Sequence, residues 1–443
     1  MSWKAAAERD PAGFYRLRTE QGEVRIFMTP ELFEPLEENL GEQIRNAWRF
    51  PGVLDVAITP DAHHGYGVPV GCVMATRGTL AMGPVGYDIG CGMAALRSSV
   101  GREAADPGRL QAFSRRVMQR VGLGAGSRGQ PVTSERFQEV LRGGAEALGV
   151  RRGTAERDRI PVDDDWDVPK RSRAWRGQQQ LGSLGGGNHF IELQHDGVRL
   201  WVMYHTGSRG FGHGLAEHYF GLAREALGLR RGEMDLGYFE AGSPHWRDYK
   251  NAVAAGGNFA IVNRLMVGRE VAAAFAETFG EEPELVYEIS HNLVQEELHP
   301  QLFPFPVWIH RKGATRALPS GHTLLAGTRW EKTGHPVLIP GSMGDCSYIL
   351  RPLAGASRSL YSVNHGCGRR KSRSAARREI SQAEANRTLR ELGVLVNAGG
   401  SVPVDESPAC YKPAEQVIRA VEEAGLAKVE TRLWPLASIK GNA

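Results

Sequence analysis

Side chains of metal-ligand type lie in Gly-rich or His-flanked segments that are far apart in the chain. Asp88 and Cys91 are three positions apart between glycines, so one short loop can direct a carboxylate and a thiolate at one ion. Mixed thiolate, imidazole and carboxylate ligands suit a borderline divalent transition ion, with Mn²⁺ and Zn²⁺ as candidates, and not Mg²⁺ or Ca²⁺. We predict a metal site beside His365, a nucleophile, with the ligands Asp88, Cys91, His189, His205 and His291.

The loop from Asp88 to Cys91 does not establish this site alone. A tight turn with a buried free cysteine is the better interpretation of the loop by itself, since free cysteine is among the most buried residue types. His189, His205 and His291 favour the metal site, because each lies at an apparent strand end in a polar segment and not on an apolar helical face.

Gly-rich turns recur in the segments GSLGGGNH, HTGSRGFGHG, PGSMGDCS and NHGCGRRKSR. Successive backbone N–H groups in such turns bind anions, and Ser342, Ser347, Arg209 and Lys312 add donors for phosphate oxygens. A GxGxxG match at 124–129 follows a helix-like segment and not a strand, so we interpret it as a flexible loop.

Composition places the chain among ordinary globular proteins. It has 443 residues, 41% hydrophobic and 23% charged, with a formal net charge of only +4, so affinity for a polyanion requires local clustering of Lys and Arg. The run from Arg369 to Arg378 is such a cluster and a predicted phosphate track. Five widely spaced cysteines without a CxxC pair argue against a disulfide framework. With no signal-peptide pattern and no long apolar stretch, we predict a cytoplasmic protein without a membrane partner.

The pattern of apolar residues predicts a mixture of helices and strands. Short apolar runs between 53 and 96 predict strands joined by tight loops that carry Asp61, His63, Asp88 and Cys91. The segment around 199–228 predicts a strand, a Gly-rich turn and a helix, which places His205 and Arg209 at the end of the strand, and another predicted strand ends at His291.

The sequence also predicts three helices and a loop elsewhere in the chain. We predict an amphipathic helix at 30–48, opened by Pro30 after Thr29, an exposed loop at 157–175, a long helix broken near Gly256 and Gly257, and a helix at 375–393. The fold class is α+β, as one interwoven mixed-sheet domain over residues 1–443. Polar, Arg-rich residues 101–180 are the candidate for a peripheral subdomain or insertion within it.

Many short segments together resemble the RtcB family of RNA-splicing ligases. They occur in family order from about residue 50 to the last few residues, with only 101–180 outside the match. The segments are DAHHGYGVPVG, GPVGYDIGCGM, GGGNHFIE, HTGSRGFG, ISHN, HRKGATRA, PGSMG, HGCGR and PLASIKG. Cys367, Cys410 and Pro413 depart from the residues that are familiar in the family, and their effect is left open.

The resemblance implies a GTP- and Mn²⁺-dependent ligase with two metal ions. It would join RNA ends carrying a 2′,3′-cyclic phosphate or 3′-phosphate to 5′-hydroxyl ends, in tRNA splicing or RNA repair, with an activating protein partner as an open question. His365 would be guanylylated, Cys91 would be shared between the ions, and Asp61 and His63 would lie on the RNA-end side. The resemblance also implies these positions around the nucleotide: Asn188, Glu192, Arg209, Ser342, Ser347, Tyr411 and Lys440.

The residues are also compatible with two other functions. A metal-dependent phosphohydrolase or cyclic phosphodiesterase could use the same ions on RNA ends without a nucleotidyl-enzyme, and GTP dependence separates it from a ligase. A noncatalytic RNA-binding protein is suggested by the basic run from Arg369 to Arg378.

Overall fold

Two large sheets organise most of the strands. A computed structural model describes residues 2–150 and 159–441. In chain order the strands of this part are β1 (Ala7–Asp10), β2 (Phe14–Arg18), β3 (Glu23–Ile26), β4 (Val53–His63), β5 (Val70–Thr76), β6 (Thr79–Ala81), β7 (Gly92–Gly101), β8 (Gly122–Leu123), β9 (Ser183–Gly185), β10 (Phe190–His195), β11 (Arg199–Thr206), β12 (Tyr238–Glu240), β13 (Glu284–Ser290), β14 (Asn292–Glu297), β15 (Val307–Lys312), β16 (Ala314–Arg316), β17 (Val337–Ile339), β18 (Ser347–Pro352), β19 (Ser362–Asn364), β20 (Leu395–Val396) and β21 (Ala427–Ile439).

The first large sheet has the strand order β1-β2-β3-β4-β5-β15-β14. The second has the order β13-β7-β11-β10-β21-β18-β17, with β20 paired to β21. Neighbouring strands in both are antiparallel except for the pairs β3–β4 and β20–β21. With the helices around them, these mixed sheets confirm the predicted α+β class.

The helices pack on the sheets and on one another. Apolar side chains of α9 join the core of the first sheet, α3 and the second half of α6 cover the second sheet, and α4 and α5 pack with the first half of α6. In the described part the α-helices are α1 (Pro30–Phe33), α2 (Leu40–Asn46), α3 (Pro107–Arg120), α4 (Ser134–Gly143), α5 (Arg209–Leu227), α6 (Trp246–Phe279), α7 (Arg373–Glu379), α8 (Gln382–Glu391) and α9 (Ala414–Glu423).

Helix α6 is continuous over 34 residues, so the predicted break near Gly256 and Gly257 is wrong. A Cβ on Gly256 would lie 2.9 Å from Ile89, and one on Gly257 would lie 2.5 Å from Ile160. The two glycines therefore allow neighbouring segments to pack closely on the helix, which outweighs their low helix propensity. One of these segments is the loop between Asp88 and Cys91.

Two other predicted helices are divided. The segment 30–48 forms α1 and α2 instead of one helix, because Pro35 lacks an N–H and its ring clashes with the preceding turn. The segment 375–393 forms α7 and α8, because Ser381 caps a new helix by accepting a hydrogen bond from the backbone of Glu384.

The segment predicted as an exposed loop at 157–175 is partly buried. Its first two residues lie outside the described part, but Ile160, Val162, Trp166 and Val168 are buried against helices α4, α5 and α6. Most of the described polar residues of this segment are exposed in a loop, as predicted, and only its apolar side chains are buried. The peripheral subdomain at 101–180 stays a prediction. No helix of the described residues is long and apolar enough to cross a membrane.

Candidate active site

One edge of the second large sheet brings four predicted metal ligands together. Strands β11 and β13 both pair antiparallel with β7, so their last residues oppose its first: Thr206 and Ser290 both face Gly92. Cys91 immediately precedes β7, His205 lies next to the end of β11, and His291 immediately follows β13. His189 immediately precedes β10, whose first residue pairs with His205. Antiparallel register thus converts separated motifs into neighbours.

The ligand atoms converge on the buried thiol of Cys91. Its Sγ lies 3.4 Å from Nε2 of His189 and 3.1 Å from Nε2 of His205, and the three residues form a cluster able to hold a metal ion. Nε2 of His205 lies 3.2 Å from Nε2 of His291, and Nε2 of His189 lies 3.2 Å from a carboxylate oxygen of Asp88. All five predicted ligands therefore lie in one continuous cluster.

The histidine nitrogens that face the centre of this cluster are unprotonated, as binding of a cation requires. Nδ1 of His189 lies 2.8 Å from the carbonyl of Leu184, and Nδ1 of His205 lies 3.2 Å from the carbonyl of Asn188. Because a carbonyl only accepts, each Nδ1 carries the proton and each Nε2 directs a lone pair at Cys91. Burial lowers the pKa of His205 and of His291 well below the ordinary value, so both rings are neutral.

Asp88 is held at the start of α5. One carboxylate oxygen accepts hydrogen bonds from the backbone N–H of Ser208 at 3.0 Å and from its hydroxyl at 3.1 Å. The other oxygen faces Nε2 of His189, so two acceptor atoms lie within contact distance and need a shared proton or cation between them. The donor set of the cluster therefore fits a borderline divalent transition ion.

His365 lies next to the metal-ligand cluster and is held by a buried carboxylate. Its Nδ1 lies 2.6 Å from Oδ2 of Asp61, and its ring centroid lies 4.7 Å from that of His291. Burial alone would raise the pKa of Asp61, but the charge and hydrogen bond of His365 and the hydrogen bond from Thr59 hold it below its usual value. Asp61 therefore accepts a hydrogen bond from Nδ1–H of His365, and in the neutral ring this tautomer places the lone pair on Nε2.

Asp61 and His63 lie in strand β4 and not in a loop, so that prediction is wrong. Strand β4 continues to His63, which pairs with Val70 of β5. Asp61 is fully buried and contacts His365 directly, whereas His63 reaches the cavity described next. Its ring contacts the carbonyl of Asp61 at 3.0 Å, and burial lowers the pKa of His63 to about 4.

A cavity of about 390 Å³ opens beside His365 and His205. Its volume is within the ordinary range for a small-molecule or nucleotide site. Polar side chains and apolar ones such as Phe190 and Met343 both line its wall. Five residues predicted to surround a nucleotide lie in this wall: Asn188, Glu192, Ser342, Tyr411 and Lys440.

Three predicted phosphate donors are not among the residues that line this cavity, and each is bound to protein groups. The hydroxyl of Ser347 accepts hydrogen bonds from Gln194 at 2.8 Å and from the backbone of Gly341 at 3.1 Å. Arg209 donates to Ser183 and to two backbone carbonyls in the loop 124–129, near Asp88. Lys312 donates to the carbonyls of two residues that precede β5, and burial lowers its pKa to about 8.

Glu406 is a buried carboxylate of the cavity that the sequence analysis missed. It lies 3.2 Å from Lys440, 3.0 Å from Arg373 and 3.3 Å from Arg369, and it accepts a hydrogen bond from Tyr411. Its position within the acidic segment DESPACYKP was the available signal. In the structure the four donors come from three parts of the chain: the basic run, DESPACYKP itself and the last few residues.

The basic run from Arg369 to Arg378 is not a free phosphate track along its whole length. Arg373 and Arg377 both pair with Asp405, Arg369 pairs with Glu406, and Lys371 pairs with Glu379. These ion pairs neutralise part of the charge that the sequence suggested for nucleic-acid binding.

Comparison with known proteins identifies the class to which this fold and site belong. A family model described as tRNA-splicing ligase RtcB matches residues 43–441, a range that includes the segment 101–180. The tRNA-splicing ligase RtcB of Thermococcus kodakarensis is 34% identical over 94% of this chain and 94% of the relative. The RNA-splicing ligase RtcB of Mycobacterium tuberculosis is 35% identical over 90% of this chain and 100% of the relative.

The molecule is therefore an RNA ligase by class. It belongs to the RtcB family, as the resemblance in the sequence implied, and RNA is its class of substrate.

Proposed function

We propose that the protein is a GTP- and Mn²⁺-dependent ligase that joins RNA 2′,3′-cyclic phosphate or 3′-phosphate ends to 5′-hydroxyl ends through guanylylated His365. The observation that carries the proposal is the contact of 2.6 Å between Nδ1 of His365 and buried Asp61. It fixes the tautomer in which Nε2 is a nucleophile, in a ring that both lines the cavity and contacts the ligand His291.

The nucleotidyl transfer requires a free lone pair on His365. Nε2 attacks the α-phosphorus of GTP, an N–P bond forms, and pyrophosphate leaves with the electrons of the broken P–O bond. Asp61 stabilises the positive charge that develops on the imidazole. Asp88, Cys91, His189, His205 and His291 would hold Mn²⁺, which when bound would supply charge neutralisation at the triphosphate.

Three RNA steps follow at the same cavity. Water first opens a cyclic phosphate to a 3′-phosphate, which then displaces His365 from the guanylyl group. The 5′-hydroxyl attacks the activated 3′-phosphorus, a phosphodiester forms, and GMP leaves. Each step is substitution at phosphorus, so cations beside the cavity, such as Lys440 and Arg373, serve all of them.

A ligation assay tests the proposal directly. Purified protein with Mn²⁺ and GTP should join an RNA with a 3′-phosphate to an RNA with a 5′-hydroxyl, and ATP should not replace GTP. Replacement of the 5′-hydroxyl by a 5′-phosphate should block joining. Sealing without any nucleotide, or joining only of 5′-phosphate ends, would contradict the proposed reaction.

Asp61→Asn should slow guanylylation of His365 by at least about 100-fold. An amide does not fix the Nδ1 proton or stabilise the imidazolium, a loss comparable to that of the aspartate in a Ser-His-Asp triad. The rate is measured by single-turnover labelling with GTP.

Thr59→Val is the matched control, because it removes only the hydroxyl that donates to the other oxygen of Asp61. It should slow labelling by less than about tenfold, the scale of one modest hydrogen bond. Equal losses in both variants would exclude a specific role of the Asp61 carboxylate.

Binding of GTP should strengthen as pH rises through about 7. Burial raises the pKa of Glu192 to about 7, against the opposing hydrogen bond of Gln194 and the charge of Lys440. Guanine offers N1–H and N2–H donors. The two oxygens of the ionised carboxylate accept both hydrogen bonds, whereas the protonated carboxyl has only its carbonyl oxygen as a strong acceptor. Below the pKa the acid form dominates, so affinity measured by calorimetry should increase from pH 6 to pH 8.

Glu192→Gln should remove this pH dependence and weaken binding about tenfold, the loss expected for one charge-assisted hydrogen bond. Glu296→Gln, an exposed change on β14, should leave the profile intact. A Glu192→Gln variant with the unchanged profile would show that another group controls binding.

A further inference from the structure

A single buried arginine touches the segments that carry three of the metal ligands. Arg264 lies in the middle of α6 and is fully buried. Its Nη1 donates to the carbonyl of Gly90 at 2.6 Å and to that of Thr206 at 3.3 Å, and its Nη2 donates to the hydroxyl of Ser290 at 2.8 Å. Its Nε donates to the carboxylate of Glu288.

Each of these three contacts is one residue away from a predicted ligand. Gly90 precedes Cys91, Thr206 follows His205, and Ser290 precedes His291. The three segments come from a loop and two different strands, which meet only at the edge of the second sheet. One planar guanidinium with its donors in a fixed fork therefore spans all three.

The close fit around the guanidinium leaves little room for adjustment. Gly92 follows Cys91, and a Cβ on it would lie 2.9 Å from Nη1 of Arg264 and 2.2 Å from the carbonyl of Ile289. The absence of a side chain at this position lets the start of β7 reach the arginine. A change in the length or shape of residue 264 is therefore transmitted directly to the backbone on either side of Cys91.

The neighbouring helix residue extends the same contacts toward a fourth ligand. The amide of Asn263 donates to the carbonyls of Gly207 at 2.9 Å and Ser183 at 3.1 Å, and its oxygen accepts from the backbone of Gly182 at 2.7 Å. These residues adjoin the segment whose Leu184 carbonyl fixes the ring of His189. Helix α6 thus contacts the supports of four ligands.

The ion pair between Arg264 and Glu288 does not by itself explain why an arginine is buried at this position. Both side chains are fully buried, and the cost of removing two charges from water offsets most of their attraction. The donors that remain on the guanidinium are directed to the ligand segments and not to further carboxylates. Their shared consequence is the relative placement of Cys91, His205 and His291.

We propose that Arg264 is a positioning residue that sets the spacing of Cys91, His205 and His291 and thereby the affinity of the metal site. The inference rests on the metal site of the proposed function and adds a residue that is not among the predicted ligands. A ligand shell held within a few tenths of an ångström requires such supports, and their loss typically costs 10–100-fold in metal affinity.

The test uses Co²⁺ as a spectroscopic probe of the metal-free full-length protein. Coordination of Co²⁺ by the Cys91 thiolate gives a sulfur-to-metal charge-transfer band, and chelator competition gives the affinity without GTP or RNA. Arg264→Lys keeps the charge beside Glu288, but one ammonium lacks the planar fork that spans the three segments. We expect about a tenfold loss of Co²⁺ affinity and a shifted or weakened band.

A double variant removes the charge pair as a unit. Arg264→Met with Glu288→Leu leaves no unpaired buried charge, so folding is preserved far better than in Arg264→Met alone. Affinity for Co²⁺ should fall about 10–100-fold. Phe275→Leu, in the same helix but among the apolar residues that cover the second sheet, is the stability-matched control and should keep the wild-type affinity and band.

The outcomes separate the two proposals. Wild-type affinity and band in Arg264→Lys would overturn the inference, as would an equal loss of affinity in Phe275→Leu. Failure of the wild-type protein itself to bind Co²⁺ or Mn²⁺ would overturn the metal site and the proposed function with it. Metal binding that depends on Arg264 in a protein that forms no guanylyl adduct would support the inference while rejecting the ligase mechanism.

Discussion

His365→Ala should reduce ligation to background while leaving hydrolysis of an RNA 2′,3′-cyclic phosphate measurable. The variant lacks the nitrogen that forms the bond to the nucleotide, so the guanylyl group has no acceptor. Opening of the cyclic phosphate by water needs the metal-ligand cluster and not His365. Ligation and hydrolysis are measured on the same end-labelled RNA by gel electrophoresis, with the loss of ligation expected to exceed about 10⁴-fold, the scale seen when a nucleophile is removed.

His195→Ala is the matched control for this prediction. His195 is the last residue of β10, at the opposite end of that strand from His189, and its ring stacks on Trp434. The variant should ligate at nearly the wild-type rate. If His365→Ala lost ligation and hydrolysis equally while its melting temperature stayed unchanged, His365 would serve the phosphohydrolase chemistry that competes with the proposed function.

Cys91→Ala should remove metal binding and, with it, both RNA activities. Its Sγ is the atom on which Nε2 of His189 and of His205 converge, so its loss removes the centre of the donor set. Loss of a ligand should cost more than the 10–100-fold that is typical for a residue supporting one. Equilibrium dialysis against Mn²⁺, with metal measured by mass spectrometry, gives the affinity.

Cys72→Ala controls for the loss of a buried thiol. Cys72 is also fully buried, in β5 of the other large sheet. It should retain bound Mn²⁺ and ligase activity. Full ligation by Cys91→Ala would exclude a metal site centred on this thiol, whereas RNA binding by a wild-type protein that shows no ligation would favour the noncatalytic RNA-binding alternative.

The clustering of the predicted ligands was predictable because their signals are local. His205 and His291 follow apolar runs that are typical of strands. Asp88 and Cys91 lie between glycines in a short turn, which keeps their side chains close together. Strand ends in polar, Gly-rich segments are where functional side chains accumulate. The family motifs then identified the same residues independently.

The contacts between the site residues and their partners could not be predicted from local sequence signals. Asp61 and His365 are 304 positions apart and meet because β4 and the segment after β19 adjoin, a pairing that no periodicity encodes. Glu406 was missed for the same reason, since its partners Arg369, Arg373 and Lys440 are more than 30 positions away from it in the chain. Long-range pairing therefore determines the charge balance of the cavity.

The errors in secondary structure have two physical sources. Pro35 and Ser381 are local signals that divide helices and were outweighed by the amphipathic pattern around them. Gly256 and Gly257 had the opposite effect, because they are helix breakers by propensity but lie where Ile89 and Ile160 pack on α6. Only tertiary packing distinguishes a glycine that ends a helix from one that allows a neighbouring segment to pack closely on the helix.

Formation of a covalent GMP adduct tests the central claim most directly. The protein is incubated with GTP labelled at the α-phosphate, with and without Mn²⁺, and analysed by intact-protein mass and by gel after acid treatment. The account predicts a Mn²⁺-dependent, acid-labile adduct of one GMP that is absent from His365→Ala. No adduct with any divalent ion, or an equal adduct in His365→Ala, would contradict it.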